Sequence, residues 1–192
     1  MTNNLLTKTC ELALRSLVRS RGFTLIETMV AILLLSTAIA GPLTIASKGL
    51  TSSVTAKDQI GAFNLAQDGM EYVRFIRDTN RLLGGNWLTG GVANSVDLTP
   101  CVSASGCYID SLQSTITACT TTCPVLNYDS TNHYYSYTTG TASPQKYRRT
   151  ITITTPVGSN SDEANVRVVV QWTSAGNITR SVTVQENMLN WQ

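Results

Sequence analysis

A single carboxylate, that of Glu27, stands at the head of an apolar stretch that carries no other charge. The stretch runs from Thr28 to Ser47 and holds 20 residues without an acidic or basic side chain. As a helix rising about 1.5 Å per residue, it would span the roughly 30 Å of a bilayer's hydrocarbon core. An acid in such a segment costs about 2.5–3.5 kcal/mol to insert and is expected to have a functional partner. The chemistry open to Glu27 is therefore charge pairing, and Lys48 lies too far along the stretch to be the partner.

Basic residues precede the apolar stretch and predict its orientation. Four of them, against one acidic residue, give the first 22 residues a net charge of +3. The remainder of the chain holds 10 basic and 11 acidic residues, a net charge of −1. The positive-inside rule then keeps the N-terminus in the cytoplasm and predicts export of the chain beyond about residue 50. A basic surface suited to nucleic acid is not expected on the exported part.

The residues around Glu27 resemble a known signal. Gly22 is followed by Phe23, then by Thr24-Leu25-Ile26-Glu27 and the apolar stretch, which is similar to the class III signal of type IV pilins and pseudopilins. The resemblance implies that a prepilin peptidase cuts between Gly22 and Phe23 and methylates the new amino group of Phe23. It also implies that Glu27 acts in assembly, accepting the Phe23 ammonium of a neighbouring subunit. Removing either charge alone would leave the other unpaired in an apolar core, at a cost of about 3–5 kcal/mol.

For the whole protein, the resemblance implies a structural role. The expected function is that of a structural subunit of a type IV pilus-like or secretion pseudopilus filament, more similar to minor than to major pilins. The subunit would sit in the inner, cytoplasmic membrane with its C-terminus outside, and then enter an extracellular or periplasmic filament. The implied partners are the prepilin peptidase, other pilin subunits, an assembly platform in the inner membrane and, before assembly, membrane lipid.

Catalysis is not expected from this chain. The sequence holds one histidine, His133, and lacks both a glycine-rich phosphate loop and the spacings typical of serine or metal hydrolases. No cofactor is expected either. The functional alternative to a filament subunit is a membrane-tethered binding or adhesion protein that does not polymerise.

Two other interpretations of the N-terminus remain open. Ala38-Ile39-Ala40 before Gly41 has the small-x-small form of a signal peptidase site, so an ordinary secretory signal would release a soluble domain. An uncleaved signal anchor would instead keep the whole chain in the membrane. Neither interpretation accounts for Glu27 or for the adjacent Gly22 and Phe23.

Four cysteines beyond the apolar stretch predict disulfides. Cys101, Cys107, Cys119 and Cys123 form an even set in the part expected to be exported, where disulfides form. The two local bridges, Cys101–Cys107 and Cys119–Cys123, are favoured. The nested pairing of Cys101 with Cys123 and Cys107 with Cys119 also stays open. Either would staple a region rich in Thr, Ser, Gly and Asn that holds few apolar residues for a core.

Metal binding is not expected. The cysteine spacing lacks the paired C-x₂-C units of common zinc sites, and His133 comes ten residues after Cys123. Asp162-Glu163, after the polar run that begins at Gly158, could contribute oxygen ligands to calcium. That run lacks the regular spacing of a calcium loop, so a solvated turn is the favoured interpretation.

The elements that must present these residues begin with one long helix. Residues 1–22 are predicted to be a cytoplasmic leader, residues 23–48 a transmembrane or filament-core helix, and residues 49–83 its amphipathic continuation. Pro42 lacks an N–H and predicts a kink, whereas Gly84 predicts the end of the helix. The larger apolar residues of the second half recur every three or four positions and predict one buried stripe: Ile60, Phe63, Ala66, Met70, Val73 and Ile76.

Beyond the helix, residues 84–192 are predicted to form a disulfide-stapled loop region and an antiparallel sheet of three to five strands. The apolar residues there recur every second position, as in a half-buried strand. A turn at Ser174-Ala175-Gly176-Asn177 predicts a hairpin of the last two strands. The predicted strands cover 107–112, 115–119, 147–155, 166–172 and 178–184, with an edge strand at 134–138. Together the helix and the sheet predict an α+β, pilin-like fold.

Overall fold

A long helix followed by antiparallel strands, as the sequence predicts, makes up the computed structural model, which describes residues 22–155, 162–174 and 177–190. The helix α1 spans Leu25–Leu82 and a short 3₁₀ helix spans Thr99–Val102. The chain divides into two compact units at residue 50. The strands in the described ranges are β1 (Cys107–Asp110), β2 (Thr115–Ala118), β3 (Asn127–Asp129), β4 (Tyr134–Ser136), β5 (Thr141–Ala142), β6 (Arg148–Thr154), β7 (Glu163–Ser174) and β8 (Ile178–Leu189).

In the first unit, every residue from Gly22 to Leu50 is exposed. The hydroxyl groups of this apolar helix are satisfied within it. Ser36 donates to the carbonyl of Leu33 at 2.9 Å, and Thr44 donates to the carbonyl of Ala40 at 2.8 Å. A hydroxyl paired in this way adds little to the cost of placing the helix in an apolar surrounding.

The second unit contains two antiparallel sheets. The larger one has the strand order β2-β1-β6-β7-β8, and the smaller one has the order β4-β3-β5. The predicted hairpin is present, because β7 and β8 pair along their full length from Glu163↔Leu189 to Ser174↔Ile178. The predicted edge strand at 134–138 is present only as β4, and it joins the smaller sheet instead of the larger one. The sequence analysis did not predict β3, the strand with which β4 pairs.

The part of α1 beyond residue 50 packs on the larger sheet through a stripe that differs from the predicted one. Ile60 and Phe63 were expected in the core, but they are 62% and 44% exposed. The stripe is carried instead by small and medium residues, together with the predicted later positions: Ala62, Leu65, Ala66, Gly69, Met70, Val73 and Ile76.

Two glycines explain the phase of this stripe. A Cβ at Gly61 would lie 3.1 Å from the hydroxyl of Tyr147, and a Cβ at Gly69 would lie 3.0 Å from Cδ of Arg149. The bare backbone at these two positions admits side chains from β6 and from the residue before it. The helix therefore turns its glycines toward the sheet and leaves Ile60 and Phe63 outside.

Arg149 joins three elements. Its side chain is 3% exposed, and its guanidinium donates to the carbonyl of Leu65 at 3.1 Å and to the carbonyl of Ile109 at 2.9 Å. It also pairs with the carboxylate of Asp68. A buried guanidinium is tolerated only when it is paired and hydrogen-bonded. Here α1 and β1 supply partners for its two terminal nitrogens, whereas its buried Nε has no hydrogen-bond partner among the described residues.

The smaller sheet is held by a buried acid, Asp110, at the end of β1. Its carboxylate accepts from the hydroxyl of Ser136 at 3.3 Å, from the backbone N–H of Tyr137 at 3.3 Å and from the hydroxyl of Thr138 at 3.2 Å. A further bond from the N–H of Leu112 at 3.1 Å turns the chain after β1. One carboxylate thus ties the end of β4 to the larger sheet.

The end of α1 follows the predicted glycine signal. Gly84 has φ of 79°, a left-handed conformation that glycine adopts without strain. Just before it, buried Asn80 donates to the carbonyl of Val96 at 2.8 Å and accepts from the N–H of Val96 at 2.9 Å. This side chain fixes the loop that leads from the helix toward the disulfide region.

Candidate functional site

The site predicted from the sequence lies where α1 begins. Gly22, Phe23 and Thr24 precede the helix in non-helical conformation, and the side chain of Phe23 is 80% exposed. Thr24 caps the helix: the N–H of Glu27 donates to the hydroxyl oxygen of Thr24 at 3.3 Å and to its carbonyl at 3.0 Å. The Gly22–Phe23 bond therefore lies outside the helix and is not held by its hydrogen bonds.

Thr24 is a site residue that the sequence reasoning missed. A threonine three residues before a glutamate is the capping-box pattern, and Thr24 and Glu27 have that spacing. The pattern places Glu27 in the first turn of α1, where the positive end of the helix dipole stabilises a carboxylate. The partial positive charge at the start of the helix lowers the cost of a carboxylate at Glu27, but it is smaller than the full charge of a cationic partner.

The helix behind Glu27 is long and apolar enough to cross a membrane. Among the described residues, α1 is the one helix that meets this test, and none of its most apolar stretch is buried within the protein. A core helix of a globular domain would bury that stretch. The apolar surface of residues 28–47 must therefore be covered by lipid or by another protein.

Pro42 lies inside α1, and the helix continues through it without a break. The predicted kink at this residue remains a prediction, because a continuous hydrogen-bonded helix can still bend at a proline. The neighbouring Thr44 closes a local bond to Ala40, which helps to keep the backbone helical at this point.

The predicted exported cysteines are brought together as two local disulfides. Cys101 is bonded to Cys107, and Cys119 is bonded to Cys123. The second bridge lies against the first, since Sγ of Cys123 lies 3.5 Å from the carbonyl oxygen of Cys107. All four sulfurs are used in bridges, so these cysteines offer no thiolate to a metal.

The other polar candidates bind within the chain. His133 Nδ1 lies 3.0 Å from the hydroxyl of Tyr128. Asp162 accepts from the side-chain amide of Asn190 at 2.9 Å, and Glu163 accepts from that of Asn187 at 3.1 Å. The polar run 158–161, which precedes these two candidate calcium ligands, lies outside the described residues.

Two tyrosines of the second unit, buried Tyr147 and half-buried Tyr137, have pKa values raised above the usual one. The hydroxyl of Tyr147 donates to the carbonyl of Asp58 at 2.9 Å, and burial raises its pKa well above the usual value. Burial also raises the pKa of Tyr137, whose ring contacts that of Tyr108 at 4.6 Å. These rings pack the sheets together and are not arranged around a reacting group.

The comparisons with known proteins agree with the N-terminal site. Residues 17–41 match a family model described as the prokaryotic N-terminal methylation motif, and this match contains Gly22, Phe23, Glu27 and the apolar stretch as far as Gly41. No curated protein and no solved structure matches the chain. The structure agrees with this match. The Gly22–Phe23 bond lies outside the helix, Glu27 lies in its capped first turn, and the apolar part of the helix is exposed. The chain therefore carries the N-terminal methylation signal of type IV pilin-like prepilins.

Proposed function

We propose that this protein is a structural subunit of a type IV pilus-like or pseudopilus filament. In this proposal it is processed between Gly22 and Phe23, methylated on Phe23 and assembled through α1. The observation that carries the proposal is the position of Glu27, a carboxylate in the first turn of α1, at the head of an apolar stretch that is exposed from Thr28 to Ser47. Such a helix needs a covering surface, and such an acid needs a cation.

Both needs are met by a second subunit that carries the same segment. Cleavage would create an ammonium on Phe23, two residues before α1 begins. When two helices pack in parallel with an offset along their axes, the ammonium of one can reach the Glu27 carboxylate of the other. The apolar surfaces of residues 28–47 then cover each other, and lipid is replaced by protein. The charge pair would set the offset, because every other offset leaves two desolvated charges apart.

Topology follows from charge. The basic residues before Gly22 favour a cytoplasmic N-terminus, so the second unit would be exported and its disulfides would form outside the cytoplasm. The proposed partners are the prepilin peptidase, an assembly platform in the inner membrane and other pilin subunits. A membrane-tethered protein that never polymerises is the alternative that the experiments below would favour if they fail.

Processing is tested by the intact mass of the membrane-extracted protein. The expected chain begins at Phe23 and carries one methyl group, about 14 Da above the unmodified form. A chain that begins at Gly41, or one that keeps Met1, would contradict the proposal. Gly22→Ile should block cleavage and leave the full-length form, because a branched side chain replaces the small residue before the cut.

Assembly is tested by Glu27→Leu in a strain that makes the protein at its normal level. The variant should accumulate in the membrane, processed and folded, since a more apolar segment inserts more easily. It should enter filaments at least about tenfold less, because the incoming ammonium loses its counter-charge. Thr28→Leu is the matched control: it makes the same turn more apolar without removing a charge, and it should assemble normally. Wild-type incorporation of Glu27→Leu would contradict the role of this residue.

A further inference from the structure

The outer edge of β8 is open. β8 is the last strand in the order of the larger sheet, and no strand in the described part of the chain pairs with that edge. It is 12 residues long, and its first four residues, from Ile178 to Ser181, are exposed. Protected edges are short, or carry proline or charged side chains, above all lysine. β8 is long and contains neither proline nor lysine, and of its two charged residues, Arg180 and Glu186, the second is paired with Arg74. Its unpaired N–H and C=O groups are therefore free to bind another extended chain.

An apolar groove runs beside this edge on the helix side of the sheet. It has a volume of about 360 Å³ and is lined by Ala56, Gln59, Ile60 and Phe63 of α1 and by Val182 of β8. None of these side chains is charged. Ile60 and Phe63 are the two residues that the helical pattern predicted to be buried, and within the described chain they remain uncovered.

The pleat of β8 decides which side chains of an added strand would enter the groove. Val182 and Val184 pair with Val170 and Val168, which are fully buried, so both face the helix side. Residues directly opposite each other on neighbouring strands point to the same face. A strand laid along β8 would therefore direct the residues opposite Val182 and Val184 over the groove, and the alternate residues toward solvent.

The charges at the two ends of the site differ. Arg180 is exposed, and none of the acidic groups in the described ranges lies within ion-pair distance of it. Glu186 is already bound to Arg74 of α1, which also pairs with Glu71. The end at Arg180 can thus accept an acid, whereas the end at Glu186 is occupied by an ion pair of the protein itself.

We propose that the edge of β8 and this groove form a binding site for an extended peptide segment of a partner protein. The segment adds as a strand to β8, places apolar side chains over Ile60, Phe63 and Val182, and carries an acid opposite Arg180. Strand addition next to a pocket for alternate side chains is an established mode of peptide recognition. A lipid or a docked helix would leave the N–H and C=O groups of the edge unpaired, so neither fits the site as well.

This site is separate from the apolar segment 23–48 through which assembly is proposed, because it lies wholly in residues 56–63 and in β8. It gives the exported unit a way to hold one particular neighbour or cargo protein, which the shared N-terminal signal does not provide. The affinity would come from backbone hydrogen bonds, and the selectivity would come from the groove and Arg180.

The test uses the mature full-length protein in lipid nanodiscs and a labelled synthetic peptide. The peptide alternates valine and threonine over nine residues and has an aspartate at the position opposite Arg180. Fluorescence anisotropy should report saturable binding, and hydrogen exchange should slow within residues 178–189. A peptide with the same side chains but N-methyl groups at alternate backbone positions should not bind. No binding, or binding without slower exchange in β8, would overturn the proposal.

Three variants locate the site. Phe63→Ser should weaken binding about fivefold or more through loss of apolar contact, and the fold should tolerate it because the side chain is already exposed. Arg180→Glu should weaken the aspartate peptide about two- to fivefold and strengthen a lysine version by a similar factor. Arg167→Glu, an exposed change in β7 on the opposite face of the sheet, is the matched control and should leave both unchanged. Equal effects of Arg167→Glu and Arg180→Glu would contradict the location, as would protein dimers that exclude the peptide.

Discussion

Residues 22–50 and residues 51–192 differ in the range of their contacts: those of the first region are local, whereas those of the second join elements distant in sequence. In the first region every described residue is exposed, and the hydrogen bonds of its side chains close within single helical turns. In the second region the same helix buries a stripe, and a buried cation and a buried acid bridge elements far apart in sequence. The hydroxyl groups of the first region are hydrogen-bonded within the helix, but its apolar side chains are exposed. Another molecule must therefore cover them. The described residues of the second region bury a core of their own, so we expect its fold to be independent of the first region.

The difference sets where each kind of substitution should act. Changes in residues 22–50 should alter insertion and assembly and leave the unfolding of the second unit unaffected. Changes in the second unit should lower its free energy of unfolding, which urea titration can follow through the fluorescence of buried Trp87 and Trp172.

The largest expected effect follows Arg149→Ala. This change leaves a cavity and removes the donors to Leu65 and Ile109, so it should lower the free energy of unfolding by about 3–5 kcal/mol. Asp68→Asn keeps an oxygen acceptor beside Arg149 but removes the counter-charge of this buried guanidinium, so it should cost less, about 1–3 kcal/mol. Urea titration of both variants gives the comparison. Equal costs would mean that the ion pair, and not the buried hydrogen bonds, holds α1 to β6.

The next effect tests the phase of the buried stripe. Met70→Ala should cost about 2–5 kcal/mol, because Met70 is fully buried between α1 and the sheet. Phe63→Ala should cost less than about 1 kcal/mol, although phenylalanine is the larger side chain, because it lies outside the core. Urea midpoints of the two variants decide the question, and a larger loss for Phe63→Ala would restore the stripe predicted from the sequence.

The disulfides should contribute less. They close loops with sequence separations of 6 and 4, for which the loop-entropy relation gives about 2 kcal/mol each. Replacing Cys119 and Cys123 together by alanine should lower the free energy of unfolding by about that amount, with the bridge of Cys101 intact. Mass spectrometry of alkylated protein checks the pairing. Finding Cys101 bonded to Cys119 in the double variant Cys107→Ala and Cys123→Ala, at unchanged stability, would argue against two separate local staples.

The smallest effect is an alkaline one. Burial raises the pKa of Tyr147 and of Tyr137 in the folded protein, whereas a phenol in the unfolded chain ionises near pH 10. Above that pH the unfolded chain releases protons that the folded chain retains, so stability falls as pH rises, by up to about 1.4 kcal/mol per pH unit for each phenol. Urea midpoints between pH 9 and 11.5 should show this slope. Tyr147→Phe should reduce it, and an unchanged slope would assign the effect to other groups.

The general features of this fold are visible in local patterns. Helix, sheet and hairpin follow from residue spacing, because period and turn chemistry are properties of neighbouring residues. The N-terminal signal is equally local: Gly22, Phe23 and Glu27 lie within six residues, and even the missed cap at Thr24 can be read from its spacing to Glu27. The local disulfide pairing was favoured for the same reason.

What could not be predicted depends on contacts between distant residues. Ile60 and Phe63 fit an apolar helical stripe as well as Ala62 and Leu65 do. Which pair is buried depends on Tyr147 and Arg149, distant in sequence, which contact the helix at Gly61 and Gly69. Arg149 itself looks like one of two adjacent arginines at the start of a strand, and its burial depends on carbonyls 84 and 40 residues away. Asp110 likewise binds residues 26–28 positions further on. Strand β3 was missed because its three residues give too short a pattern.

The two glycines that face the sheet also have a mechanical consequence. Gly61 and Gly69 stand eight residues apart, about 12 Å along the helix axis, and each is opposed by a side chain from β6 or the residue before it. Sliding the helix by one turn would drive Leu65 and Val73 into the spaces that Tyr147 and Arg149 fill. Steric contacts at Gly61 and Gly69 therefore block movement of the helix along its axis relative to the sheet. A tensile load applied along this segment of helix would pass into β6 and spread through the paired strands of the sheet.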